Sequence, residues 1–409
     1  MGHGFDFDKS IDRRGTDSTK WNKYAGSDTI PLWVADMDFA APPAVLEALQ
    51  RRIEHGVLGY GEPWPSLIEA VQSHLAEQYR WQIDAEWLVW LPGLVTGLNI
   101  ACRAVGAPDD AVFTATPIYP SFFLAPRFSR RRVLTAPLAL VEGRWEWDDA
   151  TVEAALAAAP DTRLFLLCHP HNPVGRVWRE DELRRIADIA ERHDLIVCSD
   201  EIHCGLILDP QLRHKPFAAL SPECSRRSIT LMAPSKTFNI PGLGCAFAVI
   251  PDASLRRKFL AAQQGIVPHV NVLGLAATEA AYRHGGAWHA ALLDTLRGNR
   301  DLLEARVAQL PGLAMSHVEA TYLAWIDARQ LCRMRGIENP QRFFEQAGIG
   351  LSDGADYVPE GRGGHTRPGQ GAGRSGMNGA SGYVRLNFGC PRPLLETALD
   401  RMQAGIVRQ

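Results

Sequence analysis

The sequence predicts an α/β protein: a large lobe with a mostly parallel sheet flanked by helices, and a smaller α+β C-terminal lobe. Between Asp110 and Asp200, strand-like apolar runs alternate with helical ones, the pattern of strands joined by crossover helices. At 409 residues and 46% hydrophobic, the chain has material for a large core, and its length favours two lobes. Tyr119, Asn172, Asp200 and Lys236 each follow the carboxyl end of a separate predicted strand, the edge where open α/β sheets place their ligands.

Taken in order, residues 28–40 form an extended apolar arm closing on acidic residues, and Pro42-Pro43 opens a helix with Val45, Leu46, Leu49 and Ile53 at helical spacing. Gly59-Tyr-Gly-Glu-Pro63 is a turn whose Tyr60 can simply pack. Ser66 and Glu69 then make a capping-box pattern ahead of Leu67, Ile68, Val71 and Leu75 on one helix face. Trp87-Leu-Val-Trp90 leads through a glycine turn into a helix from Leu98 to Val105. The N-H groups of Gly93, Leu94 and Val95 at such a turn can hold phosphate.

Ala111-Val-Phe-Thr-Ala115 ends near Tyr119, and Arg132-Val-Leu-Thr-Ala136 precedes an alanine-rich helix around 149–159. Leu164-Phe-Leu-Leu-Cys168 ends at His169-Pro-His-Asn-Pro-Val-Gly175. A helix over 180–193 leads to Leu195-Ile-Val-Cys198, followed by Ser199-Asp-Glu-Ile-His203. Ile229-Thr-Leu-Met232 precedes Ala233-Pro-Ser-Lys-Thr-Phe-Asn239, so Lys236 faces the crevice just past a strand end. Cys245 to Ile250 is a further strand, two or three helices fill 253–308, and Tyr322–Ile326, a helix at Gln341–Gln346 and Tyr383–Phe388 build the small lobe. The expected division is an N-terminal arm and part of the small lobe over 1–45, a large domain over 46–290 and a small domain over 291–409. A glycine-rich insertion at 360–382 is too poor in apolar residues to pack.

A net charge of -3 gives no electrostatic reason to expect nucleic acid or an anionic membrane as partner. No stretch approaches the ~20 apolar residues of a membrane span and the N-terminus lacks a signal-peptide core, so a cytoplasmic protein acting on a small polar molecule is expected. The eight cysteines show no metal-ligand spacing. All read as unreactive, and Cys168, Cys198 and Cys245, inside apolar runs, as small buried hydrophobes; Cys204 lies close to the Asp200 motif, but nothing in the sequence marks it as reactive.

A lysine, an aspartate, an asparagine, an aromatic ring and a phosphate-holding turn at one sheet edge are the parts that pyridoxal phosphate requires. Lys236 would link to the cofactor carbonyl, and Asp200 would face the pyridine nitrogen and keep it protonated. Asn172 and His203 suit the ring hydroxyl, Tyr119 the ring face, and Arg385 a substrate carboxylate through two parallel hydrogen bonds. Each also has a plainer reading as a helix cap, a turn former or a surface ion pair.

From about Phe5 to the C-terminus the chain resembles fold-type I pyridoxal phosphate enzymes, and within them the MalY/PatB group of cystathionine β-lyases, or C-S lyases. The resemblance rests on Trp33-Val-Ala-Asp-Met-Asp-Phe39, His169-Pro-His-Asn-Pro-Val-Gly-Arg176, Asp200-Glu-Ile-His203, Ala233-Pro-Ser-Lys-Thr-Phe-Asn239 and Val384-Arg-Leu-Asn-Phe-Gly389. It implies the same roles for Lys236, Asp200, Asn172, His203, Tyr119 and Arg385, and places Ala35 at the substrate. It also implies that Tyr60 reaches the cofactor phosphate of a neighbouring subunit, hence a homodimer with shared sites.

Two departures stand out. Many aminotransferases of this fold carry a serine or threonine three residues before the lysine and an arginine eight after it, both on the phosphate; here Ala233 and Gly244 occupy those places. Ser235, Tyr60 and the turn at Gly93 remain as phosphate ligands. The glycine-rich insertion before Arg385 is the second departure. The expected reaction is α,β-elimination on a cysteine S-conjugate such as cystathionine. An aminotransferase and a pyridoxal phosphate-binding regulator acting through a protein partner are the alternatives.

Overall fold

Leu164, Phe165, Leu166 and Leu167 explain the architecture in miniature. Successive residues of a strand face opposite sides, and here both sides are apolar. Leu164 and Leu166 join one core with Leu98, Ala101, Leu231 and Phe259, while Phe165 and Leu167 join another with Phe113, Leu183, Ile186 and Val197. A strand buried on both faces belongs in a sheet covered by helices on both sides. The computed structural model describes residues 4–359 and 379–408.

Seven strands form the large sheet, in the spatial order Leu88–Leu91, Ala246–Val249, Ser228–Met232, Ile196–Asp200, Thr162–Cys168, Ala111–Thr116 and Arg132–Pro137. Ala246–Val249 runs antiparallel to both neighbours, and the other pairings are parallel. The strands ending near Tyr119, Asn172, Asp200 and Lys236 are therefore four consecutive members of the sheet, and their carboxyl ends share one edge. Leu94–Ala104 and Ala253–Gln263 pack together on one face, and Glu180–Arg192 supplies Leu183 and Ile186 to the other.

The smaller sheet is antiparallel, ordered Ala314–Met315, Leu323–Asp327, Tyr383–Asn387, Ser352–Asp353. Helices Gly286–Val307 and Arg392–Arg408 pack with it around Leu296, Leu303, Ile326, Leu386 and Leu399. The N-terminal arm enters this core through Leu32, Met37 and Phe39, and its Ile30–Pro31 pairs in parallel with Ile349–Gly350.

Several local expectations are corrected. The helix expected to start with a capping box at Ser66 begins at Pro65, with Trp64 at the N-cap and no side-chain cap. Proline fits that first helical position because its missing N-H is an orphan there anyway. Glu69 is instead engaged by Arg283 at 2.8 Å. Asp200 is the last residue of its strand and does not follow it. The helices Ser121–Phe128 and Arg392–Arg408 and the hairpin Ala139–Val141 with Arg144–Glu146 were not anticipated. Of the insertion at 360–382, residues 360–378 lie outside the described residues. No helix among the described residues is long and apolar enough to cross a membrane.

Candidate active site

Lys236 is brought out of the sheet by the buried strand Ser228–Met232 and fixed by a tight turn. The Phe238 and Ile240 N-H groups donate to the carbonyls of Pro234 and Ser235, each at 2.9 Å. Asn239, at φ 53°, takes the left-handed conformation that asparagine tolerates better than most residues. Its side chain ties down the N-terminal arm, accepting from the Met37 N-H at 2.9 Å and donating to the Met37 and Phe39 carbonyls. From the small lobe, Asn387 Nδ2 donates to the carbonyls of Val34 and Asp36. The arm segment 34–39 is thus held from both lobes.

The Lys236 amine donates to the Ala35 carbonyl at 2.5 Å. Burial lowers its pKa from the ordinary lysine value to about 8, opposed by the charges of Asp36 and Asp200 and reinforced by Arg385. An amine so tuned is available as a nucleophile or base near neutral pH. Asp200 is buried, and the only side-chain hydrogen bond it accepts among the described residues comes from the Ile202 N-H at 3.1 Å. Burial pushes its carboxyl up to about 7. His203 is buried beside the charges of Lys236 and Arg385, and burial brings its pKa down to about 3, so the ring is neutral at physiological pH. Its Nδ1 has no partner among the described residues.

Arg385 comes from the opposite lobe, on strand Tyr383–Asn387. Its Nη1 donates to Asn172 Oδ1 at 3.0 Å and its Nη2 to the Trp33 carbonyl at 2.7 Å, with the Tyr357 ring 5.1 Å from the guanidinium carbon. Its Nε is buried and unpartnered among the described residues. Asn172 joins this group to the sheet edge, since its carbonyl accepts from the Tyr119 N-H at 3.2 Å. Five residues singled out from the sequence, Lys236, Asp200, Asn172, His203 and Arg385, are therefore linked to one another by hydrogen bonds or by charge. Ala35, implied only by resemblance, is in contact with the lysine. Tyr119 is half-exposed at the adjoining strand end.

The phosphate candidates are arranged less closely. Gly93 caps helix Leu94–Ala104 without a side-chain bond, leaving that helix end to a ligand or water. Ser235 is half-buried, and no hydrogen bond of its hydroxyl occurs among the described residues. Gly244 has φ +56°, and a Cβ there would lie 3.3 Å from the Pro92 carbonyl. An arginine at this place would strain the backbone and crowd the turn before Gly93. Tyr60 is fully exposed. Cys204 is an inert thiol, as expected: it is buried, accepts from the Tyr79 hydroxyl at 3.1 Å, and burial pushes its pKa up to about 12.

Sequence reasoning missed three participants. Tyr322, fully buried, donates its hydroxyl to the same Ala35 carbonyl at 2.9 Å. Tyr357 covers Arg385, and Ser352 donates to the Trp33 carbonyl at 2.7 Å. Each sits in a segment that reads only as strand or turn, so no local signal marks it. The residues present fit pyridoxal phosphate. The site holds a buried acid with a raised proton affinity for a ring nitrogen, an unpartnered imidazole nitrogen for a ring substituent, and an open guanidinium N-H for a carboxylate.

A family model described as aminotransferase class I and II matches residues 27–401. Cystathionine β-lyase PatB of Bacillus subtilis (strain 168) is 35% identical over 406 residues, covering 98% of this chain and 99% of that protein. Among solved structures, that of OvoB is 47% identical with a TM-score of 0.90, covering 99% of this chain and 100% of that one. The pyridoxal phosphate-bound C-S lyase of Staphylococcus hominis is 31% identical with a TM-score of 0.89, covering 98% of each chain.

Proposed function

Because the chain belongs to the class I and II aminotransferase family, and within it to the MalY/PatB group of C-S lyases, we propose that it is a pyridoxal phosphate-dependent carbon-sulfur β-lyase. It cleaves cystathionine or related cysteine S-conjugates to thiol, pyruvate and ammonia. The observation that carries this reading is the meeting of the tuned Lys236 amine, the buried Asp200 and the open Arg385 guanidinium at one crevice.

Bound there, pyridoxal phosphate supplies an electron sink for the pair left behind when the Cα proton departs. Lys236 would hold the cofactor, and its Nζ would take the Cα proton. Asp200 would hold the proton of the ring nitrogen. Asn172 and His203 would serve the ring hydroxyl, and Tyr119 would pack on the ring. Arg385 orients the substrate carboxylate, with Ala35 lining the same place. With the amino acid so held, the thiolate leaves from Cβ, and the unsaturated amine that remains hydrolyses to pyruvate and ammonia.

The N-H groups at Gly93, Leu94 and Val95 and the Ser235 hydroxyl would hold the phosphate, joined by Tyr60 from a second copy of the chain. The full exposure of Tyr60, beside the exposed Val57 and Leu58, supports a homodimer with shared sites. The test offers cystathionine alone and, separately, an amino acid with a keto acid. Equal release of thiol and pyruvate is expected in the first case. Transfer of the amino group without thiol release would make the protein an aminotransferase.

A further inference from the structure

Tyr322 and Lys236 meet on one atom. The Ala35 carbonyl oxygen accepts from the Tyr322 hydroxyl at 2.9 Å and from the Lys236 amine at 2.5 Å. That carbonyl is not free to turn, because Asn387 Nδ2 holds the carbonyls on either side of it, of Val34 at 2.7 Å and of Asp36 at 2.6 Å. The Tyr322 ring is fully buried and meets the His203 ring edge-on, with centroids 6.0 Å apart. The backbone just before it is strained. Thr321 is fully buried at φ 74°, a left-handed conformation in which a β-branched residue is an outlier. Its N-H donates to the Leu206 carbonyl at 2.8 Å, and its hydroxyl accepts from the Leu323 N-H at 3.1 Å. Strain of this kind persists only where the surroundings over-determine it, and it gathers at functional sites.

We propose that Tyr322 is a positioning residue for Lys236: its hydroxyl occupies one lone pair of the Ala35 carbonyl and leaves the free amine a single direction in which to dock. A carbonyl oxygen accepts along two lone-pair directions. With one of them filled by Tyr322, the amine donates along the other, and an N-H fixed in this way sets where the lone pair on Nζ points. An aimed base removes a proton faster than one that rotates, because small errors of placement cost large factors in rate. The shared oxygen also offers the ammonium form less than a carbonyl with both lone pairs open would. The charges that reach Lys236 are Asp36 on the arm, Asp200 at the strand end and Arg385 from the small sheet. His203 beside it is neutral, and burial raises the Tyr322 hydroxyl, which therefore stays a donor. Tyr322→Phe leaves all of these groups in place and removes one hydrogen bond. The proposal rests on the reading of Lys236 as the group that takes the Cα proton.

The test follows the Cα proton without requiring C-S cleavage. L-alanine, which carries no leaving group on Cβ, is given to the full-length holoenzyme in heavy water, and the loss of its Cα proton is followed by NMR. Tyr322→Phe should slow exchange at saturating L-alanine about 10-fold, the worth of one hydrogen bond. The concentration for half-maximal exchange should stay the same. The second readout uses the protein without cofactor, labelled with trace acetic anhydride over a series of pH values, with the Lys236 peptide read by mass spectrometry. The labelling midpoint of Lys236 should move up by about half a pH unit in Tyr322→Phe, about a threefold change in the acid constant. Placing 4-aminophenylalanine at position 322 returns an N-H donor and should restore both values, which a loss of packing would not allow. Should Tyr322→Phe fail to fold, 4-fluorophenylalanine, which fills the space and donates nothing, takes its place. Unchanged exchange or an unmoved midpoint in the folded variant overturns the proposal. Wild-type exchange by Lys236→Ala would instead remove the reading of Lys236 on which it rests.

Discussion

Two buried arginines, both within the segments that mark the family, behave in opposite ways. Arg176 uses its donors fully: Nε on Glu319 at 2.8 Å, Nη2 on Glu182 at 2.7 Å, and Nη1 on the Trp145 carbonyl. Arg385 is equally buried, yet its Nε has no partner among the described residues and its remaining bonds go to neutral oxygens. A guanidinium closed by two carboxylates is a fastener, here joining the loop after Cys168 to Glu319 near the small lobe. One kept buried with an open donor is held for a ligand. The same division runs through the N-terminal arm. Lys20, Arg13 and Trp21 close on Asp38 at 2.7 to 2.9 Å, while Asp36, two residues away, takes Arg13 on Oδ2, has no hydrogen bond on Oδ1 among the described residues, where Lys20 lies 3.6 Å away, and has its charge felt by Lys236.

The contrast can be broken at four places. The largest effect is expected for Lys236→Ala, which removes the residue on which the open groups converge. Turnover should fall by about 10⁴-fold or more, the upper end of what a positioned proton-transfer group contributes, and the absorbance of the lysine-bound cofactor should vanish. Thermal unfolding should change little. Retained turnover or absorbance would remove the assignment.

Arg176→Ala tests the fastener. It takes from the buried Glu182 and Glu319 their shortest ion pairs and leaves them Arg144 at 3.4 Å from each, so urea unfolding should show a loss of up to about 3–5 kcal/mol. Any protein that remains folded should keep its KM. Arg385→Ala is the mirror case. KM for the amino acid should rise about 10- to 100-fold, the value of a charge-assisted hydrogen bond or two, with a smaller loss of stability than Arg176→Ala. An unchanged KM would place the substrate carboxylate elsewhere.

The smallest effect is a matter of pH. A carboxyl whose folded pKa lies above its unfolded value destabilises the fold as pH rises from the ordinary aspartate range through about 7, and the cost is constant above that. Asp200→Asn removes the cost. The cofactor-free variant should therefore melt a few degrees above the cofactor-free wild type at pH 8, and the difference should close by pH 4. Equal melting temperatures at both pH values would mean that Asp200 carries no such burden.

Much of the site was legible because its signals are local. A buried strand announces itself by a run such as Leu164–Cys168, its end by proline, glycine or a polar residue, and the parallel order then puts Tyr119, Asn172, Asp200 and Lys236 on one edge. Local signals also mislead. Ser66 and Glu69 have the spacing of a capping box, but Pro65 and the distant Arg283 decide how that helix begins and where Glu69 points. Tyr322, Tyr357 and Ser352 carried no mark, because what makes each of them part of the site is a carbonyl or a guanidinium far away in the chain.

The sequence by itself determined the sheet, the residues at its carboxyl edge and the cofactor they suit, since strand periodicity and the chemistry of side chains are properties of short stretches. Only the tertiary structure decided that Lys236 rests on a carbonyl 201 residues away, that Arg385 reaches an asparagine 213 residues away, and that one of its donors stays open. The reason is physical: burial, the shifts in proton affinity it causes and the absence of a partner are set by everything packed around a group. No spacing along the chain encodes them.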